Sequence, residues 1–155
     1  MQDITGLAFF LIVTFGVSFL ASQYEPGGWY QEIAKPSWTP PGWIFPIVWT
    51  ALYLMMSIAA WKVWRTGKLQ KVIVPLGFYF LQLFFNGLWS WMFFGNQMIG
   101  LALLDIILLL IAIILTTIIF WKYNRVSGLL FIPYLLWVAF ASVLNFSIWL
   151  LNRAG

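Results

Sequence analysis

Ile4 to Tyr24, Pro36 to Trp61 and Val126 to Asn152 run without a charged side chain, and Val72 to Trp121 contains only Asp105. A helix needs roughly 20 apolar residues to cross the hydrocarbon of a bilayer. Each of the first three runs is therefore long enough for one crossing. The fourth holds two, divided where Phe94-Gly95-Asn96-Gln97 reads as a tight turn. Charged residues make up 8% of the chain, against about 25% in a soluble domain. That leaves too little polar surface for a water-soluble globule, and the high hydrophobic content excludes disorder. A β-barrel is excluded because the runs are continuous Leu, Ile and Phe instead of alternating. The expected fold is an all-α integral membrane protein, a single domain over 1–155. Its five transmembrane helices lie near 4–24, 43–65, 72–94, 98–122 and 126–151, with a long structured loop, 25–42, between the first two. The Met-Gln-Asp start lacks the basic stretch of a signal peptide, so the first span is read as a retained helix.

Lys62, Arg65, Lys68 and Lys71 flank the second connection, and Lys122 and Arg125 flank the fourth. Five spans put these connections on one side. Basic connections stay in the cytoplasm, which predicts a cytoplasmic N-terminus and an external C-terminus; in an organelle the same pattern says only that the loops lie on opposite faces. The formal charge of +4 thus sits at membrane edges and gives no support to nucleic-acid binding. The chain has no Cys and no His. Thiolate and imidazole catalysis, zinc-finger-type sites and histidine-ligated haem are excluded with them, and no metal or resident cofactor is expected. No Lys lies mid-helix, so a retinal Schiff base is excluded too.

The loop contains Trp29, Tyr30, Pro36, Trp38, Pro40 and Pro41. Proline limits the freedom of the unfolded chain, and the aromatic rings need burial, so the loop is expected to form a stiff lid over one end of the bundle. The bland alternative places Trp29, Trp38 and Trp43 in the headgroup belt. Within the helices, residues four apart share a face. Phe45, Trp49 and Tyr53 form one stripe in the second span. Gln82 and Asn86, with Trp89 close by, form another in the third. Pro133, Trp137, Ala141, Asn145 and Trp149 form the one in the fifth. Polar side chains at bilayer depth turn away from lipid, so Gln82, Asn86 and Asn145 should point inward. Each amide taken singly serves equally well as glue between helices, at about 0.6 kcal/mol. Aromatic faces around the small Ala141, with a few amides, suit a flat apolar ligand. Asp105 is expected to hydrogen-bond to a neighbouring helix. Thr14, Ser18 and Ser22, with Gly77 and Gly87, are expected to allow close contact with a second copy.

The string Trp29-Tyr30-x-x-Ile33-x-Lys35-Pro36-x-Trp38-x-Pro40-Pro41-Gly42-Trp43, then Pro46-x-x-Trp49-x-x-Leu52-Tyr53, resembles the tryptophan-rich sensory protein family. Its members are also called translocator proteins, TspO/MBR or peripheral benzodiazepine receptors. The likeness continues through Gln82-x-x-x-Asn86-x-x-Trp89, Phe93-Phe94-Gly95 and Pro133-Tyr134-x-x-Trp137-x-x-x-Ala141-x-x-x-Asn145, and so covers nearly the whole chain. The resemblance implies a membrane receptor for porphyrins such as protoporphyrin IX and for similar flat hydrophobic molecules, with a role in tetrapyrrole regulation or stress signalling. It implies that Trp49 and Trp137 line the cavity and are involved in porphyrin breakdown, and that Tyr30, Pro40, Phe45, Asn86, Trp89, Ala141 and Leu144 line it as well. Tyr53 joins them through its stripe. A homodimer is implied too. One departure stands out. The family's sterol motif would fall on Leu144-Asn145-Phe146, which lacks the Tyr, and Arg153 is too distant, so cholesterol is disfavoured as a partner.

Two alternatives to a receptor stay open. An enzyme would have to use the ligand's own photochemistry, with light and oxygen, and Trp49 and Trp137 as electron donors, because the sequence holds no acid–base pair. A porphyrin or sterol transporter would have one intramembrane carboxylate and no inverted repeat to work with.

Overall fold

The computed structural model describes residues 2–24 and 27–153, and the side chains of all of these except Gln2 and Asp3. Glu25 and Pro26 of the expected lid, together with Met1, Ala154 and Gly155, lie outside the described residues. Among the described residues, five helices are long and apolar enough to cross a membrane. They are α1 (Gln2–Ser22), α3 (Ile44–Trp64), α4 (Leu69–Ser90), α5 (Ile99–Tyr123) and α6 (Arg125–Asn152). A short helix, α2 (Gly28–Glu32), sits in the loop, and α4 runs on through a π-turn at Trp91–Gly95. The helices lie within a few residues of the expected spans: α4 begins at Leu69 and not near 72, and its α-helical part ends at Ser90, with the π-turn carrying it to Gly95.

Helix α6 packs on α5 and α3, α4 on α5 and α1, and α1 on α3. Lipid is as apolar as leucine, so these contacts depend on close packing and hydrogen bonds and not on escape from water. Ala59, Ala60 and Val63 of α3 are fully buried, and the Ser127 hydroxyl donates to the Ala59 carbonyl at 2.9 Å. The α5–α6 turn is a single residue, Asn124, whose side chain accepts from the Ser127 amide at 3.1 Å and caps α6. So tight a turn needs Gly128, where a Cβ would lie 2.7 Å from the Trp121 ring and 2.9 Å from its Cα.

The small residues expected at a subunit contact are partly used inside the chain. Thr14 is fully buried, donates to the Phe10 carbonyl at 2.6 Å and pairs with the Tyr79 hydroxyl. A Cβ at Gly87 would meet Val17 of α1 at 3.4 Å. Their register turns both toward the α1–α4 seam. Gly77 and Ser22 remain exposed.

Candidate functional site

The α3 stripe forms as the spacing requires. Trp49 stacks on Tyr53, with ring centres 5.4 Å apart and planes 29° apart, and meets Tyr134 of α6 edge-on at 6.1 Å. Phe45 meets Trp137 at 5.9 Å, Trp137 meets Phe140 at 5.7 Å, and Phe140 meets Trp38 of the loop at 5.7 Å. These contacts make two aromatic groups, one of Trp49, Tyr53 and Tyr134 on α3 and α6, the other of Phe45, Trp137, Phe140 and Trp38 on α3, α6 and the loop. Edge-to-face and offset pairs of this kind add about 0.5–1.5 kcal/mol beyond their area.

Beneath these rings lies a directed hydrogen-bond chain. The Tyr53 hydroxyl donates to Asn86 Oδ1 at 2.6 Å, Asn86 Nδ2 donates to the Tyr134 hydroxyl at 3.1 Å, and the Tyr134 hydroxyl donates to Gln82 Oε1 at 2.9 Å. All four residues are buried, and Gln82 Nε2 has no partner among the described residues. Gln82 and Asn86 therefore point inward as expected, and the chain fixes the Tyr53 ring on which Trp49 rests. Asn145 also points inward, accepting from the Trp89 indole N–H at 2.9 Å and donating to the Ile99 carbonyl at 3.2 Å.

The loop folds back over this end. Trp29, Tyr30 and Ile33 pack beside Phe93, Leu144 and Ile148. The π-turn places Phe93 against Trp89, stacked at 5.0 Å, and Tyr30 against Phe94 at 5.4 Å. A Cβ at Gly95 would lie 2.7 Å from the Tyr24 ring, so this approach needs glycine. Asn152 of α6 clamps the loop: its Oδ1 accepts from the Ala34 amide at 3.1 Å and its Nδ2 donates to the Ala34 carbonyl at 2.9 Å. Lys35 Nζ donates to the Tyr30 and Ile33 carbonyls and sits 4.9 Å from the Tyr30 ring centre. Burial pushes the Tyr30 phenol above its ordinary pKa.

The expected site residues fall into two groups. Tyr30, Pro40, Phe45, Trp49, Trp89, Trp137 and Ala141 are half-buried, whereas Tyr53, Asn86 and Leu144 are buried. A groove of about 460 Å³ opens between α3 and α6, lined by Ile47, Val48, Leu136, Trp137 and Phe140 among others. Of the ten expected residues, Trp137 is the one that lines it. Asp105 departs from expectation. It is buried, and neither carboxylate oxygen has a hydrogen-bond partner among the described residues. The inward face of α5 reads Ala102, Asp105, Ile106, Leu109, Ala112 and Ile113, so helical register carries the carboxyl into an apolar seam. Sequence reasoning named Trp38 only as part of the lid and Tyr134 only within the family string, and it missed Phe140 and Asn152. Tyr134 lies three residues before Trp137, the other spacing that puts two side chains on one helix face, and that signal was available.

These features define a five-span α-helical membrane protein with an aromatic site under a folded-back loop. The TspO/MBR family model matches residues 6–150, and the chain belongs to that family. It is 43% identical over 155 residues to the tryptophan-rich protein TspO of Chlorobaculum tepidum, covering 97% of this chain and 98% of that one. It is 40% identical to protein CrtK of Rhodobacter capsulatus over 130 residues, 83% and 81% of the two chains. It is 38% identical to the human translocator protein over 136 residues, 84% and 80%.

Proposed function

We propose that the protein is a receptor for porphyrins and similar flat, hydrophobic molecules, taking the ligand against Trp49 and Trp137, and that it serves tetrapyrrole regulation or stress signalling. The observation that carries this reading is the pair of half-buried indoles held in place from behind. Trp49 rests on Tyr53, whose hydroxyl is fixed by Asn86, and Trp137 is braced between Phe45 and Phe140. A planar macrocycle stacks on such rings with little ordering cost, because the rings are already immobile. Ala141, one turn beyond Trp137, leaves room for its edge. Trp38 of the loop reaches the Trp137 side of the site through Phe140. The ligand is cargo or signal, and the site calls for no metal or resident cofactor.

The same reading puts the protein in a bacterial cell membrane, with the two basic connections in the cytoplasm and the loop and C-terminus outside. The test is titration of the detergent-solubilised protein with protoporphyrin IX, followed by quenching of Trp fluorescence. Trp49→Ala with Trp137→Ala should abolish saturable quenching. Unchanged affinity in that double variant would remove the site. Light- and oxygen-dependent loss of the pigment that slows when Trp49 and Trp137 become Phe would favour the degradative reading over simple binding.

A further inference from the structure

A second groove, of about 760 Å³, opens at the far end of the bundle from the loop, between α1, the end of α3 and the start of α4. Phe9 of α1, Trp64 of α3, and Leu69 and Phe80 of α4 form its walls. Its depth depends on Gly6, where a Cβ would lie 2.3 Å from the Trp64 ring. Phe9 and Leu69 are 52% and 63% exposed, so the walls are apolar and uncovered. The connection between two walls, Trp64 and Leu69, carries Arg65 and Lys68, both exposed. The Arg65 guanidinium lies over the Trp61 ring at 4.8 Å, one turn before Trp64. Lys62, Lys71, Lys122 and Arg125 lie toward the same end, and the sequence supplies one acid there, Asp3.

We propose that this groove holds an acyl chain of an anionic phospholipid whose phosphate sits against Arg65 and Lys68. The apolar walls match the chain, and the cations at the rim match a headgroup with net negative charge. A basic pocket between spanning helices at this depth is the arrangement that recognises anionic lipid. A second copy fits less well. Two parallel copies joined through the groove would bring Arg65 and Lys68 of both chains together at one depth, and like charges so placed repel.

The test uses the full chain in phosphatidylcholine vesicles containing a minor fraction of lipid brominated on its acyl chains. Bromine quenches nearby indoles, and the difference between the wild type and Trp64→Phe isolates the share of Trp64. The expected result is that brominated phosphatidylglycerol quenches that share several-fold more than brominated phosphatidylcholine. Arg65→Gln with Lys68→Gln should abolish the preference, whereas Lys122→Gln with Arg125→Gln, an equal loss of charge elsewhere, should keep it. Native mass spectrometry, which does not depend on Trp64→Phe folding, should show phosphatidylglycerol retained by the wild type and lost from the Arg65/Lys68 variant alone. Equal quenching by the two lipids, or an equal effect of the two charge-pair variants, overturns the proposal. Cross-linking between copies through cysteines placed at Phe9, undiminished by phosphatidylglycerol, overturns it as well.

Discussion

Tyr134→Phe is the most informative single substitution, because it removes one oxygen and keeps the ring. That oxygen accepts from Asn86 Nδ2 at 3.1 Å and donates to Gln82 Oε1 at 2.9 Å. Both partners are buried, and Gln82 is fully so, so neither finds water when the hydroxyl goes. Hydrogen bonds between spanning helices are worth about 0.6 kcal/mol on average and up to about 1.7. Two broken bonds thus predict a loss of about 1.2–3.4 kcal/mol. Tyr53 stands at the end of the same chain and makes one of its bonds, to Asn86, so Tyr53→Phe should cost about half as much, 0.6–1.7 kcal/mol. The assay is reversible unfolding in mixed dodecyl maltoside and sodium dodecyl sulfate micelles, followed by tryptophan fluorescence. Porphyrin affinity should change little in Tyr134→Phe, because the edge contact with Trp49 uses the retained ring. A Tyr134→Phe cost no greater than that of Tyr53→Phe would refute the directed chain.

Gly6→Ala forces a methyl to within 2.3 Å of the Trp64 ring. It should destabilise by about 1–3 kcal/mol in the same unfolding assay, and part of the loss should return when Trp64 is also changed to Leu. Asn152→Leu removes both bonds to Ala34. Hydrogen exchange across 33–43 should quicken while exchange in α5 is unaltered. Asp105→Asn should leave stability unchanged or raised, because the carboxylate makes no hydrogen bond that could be lost. A clear drop in the unfolding midpoint would contradict this. Burial raises the Tyr30 phenol above its ordinary pKa of 10.0. The folded state therefore holds that proton more tightly than the unfolded chain, and the stability this supplies is complete below pH 10 and is lost as pH climbs through the folded value. Loop docking should be flat across neutral pH and weaken only in strong alkali. Tyr30→Phe should remove the alkaline phase from the tyrosinate absorbance titration.

The spans were legible because charge is a near-absolute marker of what stays out of hydrocarbon. The basic pairs around the second and fourth connections fixed the ends of α3, α4, α5 and α6 to within a few residues. The Trp49–Tyr53 stack and the inward amides were legible from a four-residue spacing. Helix α2 was not, because five residues carry too little periodicity to stand out from a proline-rich loop. The π-turn was equally hidden, since it depends on how Phe93 meets Trp89 and Tyr30 in space. Asn145 was expected to face inward, but its partners, the Trp89 indole and the Ile99 carbonyl, lie on other helices and leave no mark in local spacing. Thr14 failed in the opposite sense. Its small side chain suggested a surface for another copy, whereas the Tyr79 hydroxyl claims it within the chain.

The most direct test of the ligand reading is an experimental structure of the protein grown with protoporphyrin IX. The expected density is a flat macrocycle in contact with both the Trp49 and the Trp137 ring, with Trp38 and Pro40 over its edge. A macrocycle bound elsewhere with both indoles untouched, or none at saturating pigment, would contradict the account.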